Sequence, residues 1–478
     1  MSKSFNLAIN IEKDYDTHMP RFFREHGLEY TQLKKNLRKW LRKRDYKSIL
    51  KFLTKLHPAD ISELIDNLPE DGEKAQLFSL LDLETASDVM ADLSEDSRRA
   101  ILKDITHDRL TDLVKDLPSD EAADILGVLP KERVERILAA LPPQDSAEVR
   151  SLLKYHEETA GGLMQTEVLA LPADMVVENA IEQLRALAQE TEEEYHNIFV
   201  VNGEKKLLGT VSINKLILSS PEKKLSELME KPKGVVFVDE DQEEVARKFQ
   251  KYNLVSAPVV DHNGVLLGRI TIDDIVDVVE AEVSEDLFRM AGVEAEETVY
   301  GEDAFRIARV RLPWLVVNIL GELVTGYLLW MFKHTLADAL ILVSFIPVIN
   351  ATAGNAGLQS SSISVRGWAT GKINFYNFKR QFLKEAKVAF IMAFISGIVG
   401  GLAASIWHRQ TALGLIVGVS MFVTINFAIF WGTILPAMLR RFGLDPAVAA
   451  GPFVATLNDI MGIVVYMSIA TVFLHYLL

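Results

Sequence analysis

The sequence predicts a multidomain protein with an α-helical superhelical N-domain, a tandem α/β pair, a connecting helix and a five-helix transmembrane domain. Three observations carry that prediction. Apolar segments long enough to cross a bilayer crowd the last third of the 478 residues. A Leu-Pro or related dipeptide recurs every 12 residues from Leu93 to Pro142. A β-rich block recurs at an offset of 59 residues.

Charge divides the chain in the same way. Residues 1–303 hold 38 Lys and Arg against 61 Asp and Glu, a net of −23, whereas residues 304–478 hold 13 against 5, a net of +8. So acidic a portion argues against nucleic acid as a partner and suits cations. The absence of cysteine excludes disulfides, thiolate metal sites and a cysteine nucleophile. The start, Met1 to Leu7, lacks the apolar core of a secretory signal, so the N-terminal part is expected in the cytoplasm.

Residues 1–45 read as an N-terminal extension and 46–163 as the helical-repeat domain. Its landmarks are Leu93-Ser94, Ile105-Thr106, Leu117-Pro118, Leu129-Pro130 and Leu141-Pro142, and Leu68-Pro69 fits with slight slippage. Each unit is one short amphipathic helix and a turn, with Pro at a position that helix starts tolerate. Such units cannot bury an apolar face alone and must stack into a superhelix.

The 59-residue duplication pairs Val200-Val201 and Leu207 to Asn214 with Val259-Val260 and Leu266 to Asp273. A helical stretch precedes each copy, Val177 to Leu187 and Gln242 to Tyr252. Two copies at matching spacing resemble a tandem CBS pair, with β-α-β-β-α halves at 164–230 and 231–281. The resemblance implies a ligand-sensing regulatory module, with ATP as a possible modulator.

The connector, 272–303, overlaps the end of the second half. Asp274, Asp277, Ala281 and Glu285 follow three- and four-residue steps and share a helix face, where like charges repel. Glu294, Glu296, Glu297, Glu302 and Asp303 extend the acidity towards the membrane. Hard divalent cations bind carboxylate oxygens, so cation bridges from this helix to acidic patches on the solenoid would act as an electrostatic switch.

Residues 304–478 form the transmembrane domain. Apolar segments run from Leu312 to Met331, Leu336 to Ile363, Val388 to Trp407, Leu413 to Leu439 and Ala447 to Leu477, with Pro347, Pro436 and Pro452 as expected kinks. Basic loop residues (Arg306, Arg309, Arg311; Arg366 to Lys387; Arg440, Arg441) place the N-terminus inside and Leu478 outside. Asp459 lies deep in the fifth segment, with no Lys or Arg in the apolar core to neutralise it. A carboxylate retained there points to a cation path. Asn355, Gln359, Thr424, Asn426, Thr433, Thr456 and Asn458 are further polar groups of the spans, each equally explained by helix–helix hydrogen bonding. Gly397 with Gly401, and Gly414 with Gly418, mark close helix packing.

In this order the parts resemble the MgtE family of magnesium channels and transporters. The most specific stretches are Gly354 to Gln359 with Val365-Arg366-Gly367, Asp445-Pro446-Ala447 with Gly451 to Asp459, and the junction Tyr155 to Met164. The resemblance implies a homodimer with the ion path between subunits and Mg2+ as both cargo and regulator. By position it implies Asp459 as the pore carboxylate, Gly451 and Ala455 on the same helix face within two turns before it, and Asp445 at the cytoplasmic mouth. It places regulatory ions at Glu282, Glu285 and Asp286 of the connecting helix, and at Asp274 and Asp277 facing Asp120 and Asp124 of the solenoid. Gly162 at the junction and Glu243 at the CBS dimer contact complete the set; Asn253 stands where a further carboxylate would strengthen the last site.

The function expected is therefore a Mg2+-selective channel-like importer, multi-pass in the cytoplasmic membrane and driven by the membrane potential. With that potential ATP hydrolysis is not needed, and the lack of a phosphate-binding Gly-x-x-x-x-Gly-Lys-Ser/Thr loop fits. The nearest alternative is a Mn2+ or Co2+ transporter, although the chain offers no His, Cys or Met cluster for softer ions. An intramembrane hydrolase would require a second core carboxylate, and none is expected beside Asp459. A CBS-bearing receptor without transport is opposed by the polar-lined fifth span.

Overall fold

The computed structural model describes residues 30–190, 195–293, 304–449 and 451–476. The expectations placed on Met1 to Leu7, on Glu294 to Asp303 and on Leu478 fall outside these residues. The chain forms two units, Met1–Ile275 and Val276–Leu478.

The first unit begins with the helix Tyr30–Lys43, which buries Leu37 and Leu41 and pairs Arg38 and Arg42 with Glu70 and Glu73. A ladder of short helices follows. From Leu83 the helices are Leu83–Asp92, Glu95–Asp104, His107–Asp116, Ser119–Gly127, Lys131–Ala140 and Pro143–Leu152, each starting 12 residues after the last. The period also governs the core: Ile101-Leu102, Leu113-Val114, Ile125-Leu126 and Ile137-Leu138 are all buried. Burying each aliphatic side chain contributes about 1.5–3 kcal/mol, which a lone ten-residue helix could not gain. Alternate helices pack on one another: Pro58–Asp66 on Leu83–Asp92, Asp71–Phe78 on Glu95–Asp104, and Leu83–Asp92 on His107–Asp116. This is the stacking expected of a solenoid. Pro118, Pro130 and Pro142 stand just before the first helical residue, at φ −52°, −59° and −52°. There the missing N–H costs no intrahelical bond.

The duplicated block folds into two matching three-stranded sheets. β1 Ala170–Pro172, β2 Asn197–Val201 and β3 Leu207–Ser212 form one; β4 Val236–Phe237, β5 Ser256–Val260 and β6 Leu266–Thr271 form the other. Each joins a parallel pair to an antiparallel pair, and each carries a register shift at the equivalent place, Val200/Val201 and Val259/Val260. The copies meet at equivalent residues, where Asn197 Nδ2 donates to Ser256 Oγ at 3.3 Å.

Among the described residues, the second unit contains five helices long and apolar enough to span a membrane: Ile307–Met331, Leu340–Ala369, Phe378–His408, Thr411–Arg441 and Phe453–Val472. Two expected kinks are corrected. Pro347 and Pro452 lie in the first turn of their helices, where proline begins a helix rather than bending it. Pro436 is inside the fourth span as expected, and Pro313 is inside the helix of the first. The second segment is not one long helix from Leu336. A short helix Lys333–Asp338 ends at Ala339, a 3-10 turn runs Leu340–Phe345, and the main helix is Ile346–Ala369. Tyr466 Oη donates to the Leu342 carbonyl at 2.9 Å, satisfying a group that this break frees. The third and fourth spans meet through their glycines. A Cβ on Gly397 would lie 2.7 Å from the Gly418 carbonyl oxygen, and one on Gly401 2.7 Å from that of Gly414.

Candidate ion sites

The soluble unit concentrates buried acid at the start of helix Ser119–Gly127. Glu167 caps this helix by accepting from Ser119 N at 3.1 Å and Ser119 Oγ at 2.7 Å. Asp120 follows, only 5% exposed, and its Oδ1 has no hydrogen-bond partner among the described residues. Burial first, then the charges of Asp274, Glu121 and Glu167, push its carboxyl well above the usual range. Glu121 is raised to about 7 by burial, with Arg98 opposing and Asp124 and Asp274 adding. Asp124 is exposed, yet crowding by surrounding atoms raises it to about 6 against the pull of Arg98. The structure thus brings Asp120 to Asp274, as the sequence suggested, and adds Glu121 and Glu167. Asp274 is oriented by accepting from Thr271 N at 3.2 Å and Thr271 Oγ1 at 2.7 Å. Asp124 and Gly162 line one cleft of about 120 Å³ together with Arg98, Arg99 and Glu157. Gly162 packs so tightly that a Cβ would lie 2.6 Å from the His156 carbonyl oxygen.

A second cleft, of about 380 Å³, opens between the two sheets. Lys215, Lys231, Lys233 and Tyr252 line it, with Asn253 and Thr210 among the polar groups. Asn253 caps helix Gln242–Tyr252 in the left-handed region (φ 50°, ψ 54°), where asparagine is several-fold enriched among non-glycine residues. Its place here is conformational. Glu243, in the first turn of that helix, is bridged to Arg247 at 2.9 Å.

In the second unit the helix Ile272–Met290 carries Glu282, Glu285 and Asp286 half-buried, while Asp277 is exposed. Arg289 is the residue that sequence reasoning missed here. It is ion-paired to Glu285 one turn earlier and to Asp445. Burial works against its charge, but the Asp445 hydrogen bond and Glu285 outweigh it and hold the guanidinium above its ordinary value. Asp445 also accepts from Ala447 N at 2.8 Å. The same helix end closes on Gly451, where a Cβ would lie 2.2 Å from the Met290 carbonyl oxygen. A larger residue cannot occupy that position without moving the connecting helix.

Within the membrane part, Asp459 is half-buried, one turn after exposed Ala455. The side chains of Glu322 and Asn350 both reach its carboxyl at hydrogen-bonding range. Glu322 corrects the view of Asp459 as the lone core carboxylate: it lies within the first span. Glu385, buried at 5% in the third span, is another, held by Ser360 Oγ at 3.1 Å and Gln381 Nε2 at 3.2 Å. Glu322 was visible as an acid inside an apolar segment, whereas Glu385 stands between Lys384 and Lys387, ahead of the segment read from Val388. Thr424, Thr433 and Asn426 bond backward to the carbonyls of Ser420, Ile429 and Phe422 of their own helix. Asn355 and Gln359 are exposed on one face of the second span. Asn458 is 2% exposed with neither amide atom partnered among the described residues. No three His, Asp or Glu side chains among the described residues gather closely enough to hold a metal ion by themselves.

Comparison with known proteins places these parts. Residues 56–158 match the model of the MgtE intracellular N domain, 160–221 and 225–281 that of the CBS domain, and 346–469 that of the MgtE divalent cation transporter. The magnesium transporter MgtE of Thermus thermophilus is 38% identical over 337 residues, covering 70% of this chain and 74% of that one. The magnesium transporter MgtE of Bacillus subtilis is 31% identical over 436 residues, covering 91% and 95%. Among solved structures, the cytosolic domain of the Mg2+ channel MgtE in complex with ATP is 33% identical, covering 51% of this chain and 99% of that one, with a TM-score of 0.48.

Proposed function

The chain belongs to the MgtE family of divalent cation transporters, and on that premise we propose that it is a Mg2+-selective, channel-like importer closed by cytoplasmic Mg2+. It is a multi-pass membrane protein and a transporter, not an enzyme. The observation that carries the proposal is Asp459, a carboxyl inside a membrane span on which polar side chains from two other spans converge. An inward-negative potential contributes about 2.3 kcal/mol per charge per 100 mV, roughly doubled for a divalent ion, so entry needs no further energy source.

Closure follows from the acid of the soluble unit. Asp120, Glu121, Asp124 and Asp274 are costly to keep charged and close together without a counter-ion. Mg2+ bound there, and at Glu282, Glu285 and Asp286 with Asp277, would favour the compact arrangement and hold the connecting helix against Asp445 and Gly451. Glu243 is a further regulatory position. Two copies would form the path between them. In support, the polar side chains of Asn355 and Gln359 are exposed on the single chain. Such groups need a partner or water at bilayer depth. Loop charges support an orientation with the soluble unit inside and the C-terminus outside. The lysine-lined cleft between the sheets, with Tyr252 at its side, offers charges for a triphosphate and a ring for a base, and we assign ATP to it as modulator.

Mg2+ flux into liposomes containing the purified protein tests the transport claim. The wild type should carry Mg2+ down a potential, and Asp459→Asn should be silent while remaining folded. Flux of Mn2+ or Co2+ in marked preference to Mg2+ would shift the assignment to the alternative cargo, and normal flux in Asp459→Asn would remove Asp459 from the path.

A further inference from the structure

Residues 30–55 carry 10 Lys and Arg against a single acid, Asp45, a net of +9, whereas residues 56–163 carry 11 against 25, a net of −14. The basic stretch lies ahead of the part that matches the MgtE intracellular N domain, which begins at residue 56. It folds as the helices Tyr30–Lys43 and Tyr46–Leu53, joined by a corner at Arg44 (φ 56°). Their apolar side chains face the ladder: Leu37, Leu41, Ile49 and Leu53 are buried, and Trp40 packs on Phe52 with ring centroids 6.2 Å apart. Two of the cations are already paired, Arg38 and Arg42 with Glu70 and Glu73. Asp45 accepts from Ser48 N at 3.3 Å and Ser48 Oγ at 2.7 Å, so the one acid caps a helix start. Lys39, Lys43, Arg44, Lys47, Lys51 and Lys55 are exposed, and none is ion-paired among the described residues. Tyr46 and Leu50, 39% and 41% exposed, share a helix face with Lys47 and Lys51.

From these observations we infer that this helix pair is a docking surface for the anionic headgroups of a lipid bilayer, the membrane that holds the spans of the same chain. The inference rests on the orientation proposed above, which sets the soluble unit on the cytoplasmic side, where anionic lipid gives the leaflet its negative potential. Charge alone would also suit a nucleic acid, and two observations favour lipid. The Tyr46 ring and Leu50 stand exposed between lysines, an arrangement that suits the headgroup boundary: apolar groups gain by entering it while the ammonium groups stay at the phosphates. The five spans tie this surface to a bilayer through one chain, so docking is intramolecular and a weak contact suffices. A polynucleotide free in solution has no such advantage, and the acidic residues that follow from 56 to 163 repel it.

Attachment of this kind depends on salt and on lipid charge. The screening length falls from about 8 Å at physiological ionic strength to about 3 Å at 1 M salt. Each Lys or Arg close to an anionic leaflet strengthens attachment about fivefold. Four or more acting together therefore hold the soluble unit to a charged bilayer in dilute salt and release it in concentrated salt.

The experiment is energy transfer in the full-length protein reconstituted in nanodiscs. The chain has no cysteine, so Thr54→Cys, exposed just after the second helix, takes a single donor dye, and a headgroup-labelled lipid is the acceptor. Both leaflets of a nanodisc carry the same lipid, so the signal does not depend on which side the soluble unit occupies; protease access in intact cells reads that orientation separately. The ratio of docked to free protein should be at least about tenfold higher in an equal mixture of phosphatidylglycerol and phosphatidylcholine than in phosphatidylcholine alone, and should fall back in about 1 M KCl. Replacing Lys39, Lys43, Lys47 and Lys51 together by Gln should lower it at least about tenfold. All four are exposed and Gln keeps the helix propensity of Lys, and the salt arm needs no lysine substitution. Transfer indifferent to lipid charge and to salt would overturn the inference. Transfer that rises with lipid charge but is unchanged in the lysine variant would overturn it too, by moving the contact to another part of the protein. Indifference to lipid charge, with saturable binding of a duplex RNA oligonucleotide that the lysine substitutions abolish, would overturn it in favour of nucleic acid.

Discussion

Replacing Asp120 by Asn should make the soluble unit more stable without Mg2+ and less responsive to it. Asp120 is 5% exposed, and its Oδ1 has no hydrogen-bond partner among the described residues. Three carboxylates, Asp274, Glu121 and Glu167, act on it. An unpaired buried charge costs several kcal/mol, part of which the protein avoids by retaining the proton. An isosteric amide removes that cost, and a gain of about 1–3 kcal/mol at pH 8 is expected. For a unit of this size that is an increase of roughly 2–4 °C in thermal midpoint per kcal/mol. In the wild type, about 10 mM Mg2+ at a site of about 1 mM affinity would add about 1.4 kcal/mol by mass action. The variant should lose most of that increment. Acid should mimic the substitution. Glu121 and Asp124 are raised in the folded protein, to about 7 and about 6, so each binds its proton more tightly folded than unfolded. Their contribution to stability is complete below their ordinary values and is lost as pH rises through about 6–7. Mg2+-free wild type should therefore gain stability from pH 8 to pH 5, and Mg2+ should stabilise it chiefly above pH 7. Thermal unfolding and hydrogen exchange of the Ser119–Gly127 amides in purified full-length protein measure both effects. An Asp120→Asn protein that is less stable without Mg2+, or that keeps the full Mg2+ increment, would refute the reasoning.

Three further outcomes are expected. Gly401→Ala places a methyl 2.7 Å from the Gly414 carbonyl oxygen and should cost about 1–3 kcal/mol of membrane-domain stability, read as earlier unfolding in a detergent titration. Gly326→Ala meets nothing within 4 Å and serves as the control. Arg289→Gln removes the half-buried tie to Asp445; at about 1 kcal/mol it should raise the fraction of open protein at millimolar Mg2+ about fivefold, measured as flux. Lys231→Ala combined with Lys233→Ala should weaken ATP binding at the intersheet cleft at least tenfold by equilibrium dialysis, while Mg2+ flux without nucleotide stays as in the wild type.

The fold was legible wherever one period governed burial. The twelve-residue spacing read from Leu93-Ser94 to Leu141-Pro142 matches the helix starts from Glu95 to Pro143, and burial follows the same period from Ile101-Leu102 to Ile137-Leu138. The 59-residue offset predicted two sheets that match down to their register shifts. Hydropathy found five spans but missed the break at Ala339, because the segment stays apolar while the backbone changes course, and the carbonyl freed there is met by Tyr466, far away in sequence. The ion residues divide similarly. Asp459 stands out because its depth is written in the flanking sequence. Glu322 has the same property, but its contact with Asp459 depends on the close approach of the two helices at Gly321 and Thr456, which no local pattern encodes. Arg289 reads as one more charge on a charged helix until folding sets Asp445 beside it.

The most direct test is Mg2+ current in excised inside-out patches, with free Mg2+ stepped on the cytoplasmic face under an inward-negative potential. Current that flows at micromolar cytoplasmic Mg2+, closes reversibly at millimolar Mg2+, and vanishes in Asp459→Asn is the result predicted. Absence of Mg2+ current, or current indifferent to cytoplasmic Mg2+, would contradict a Mg2+-gated channel.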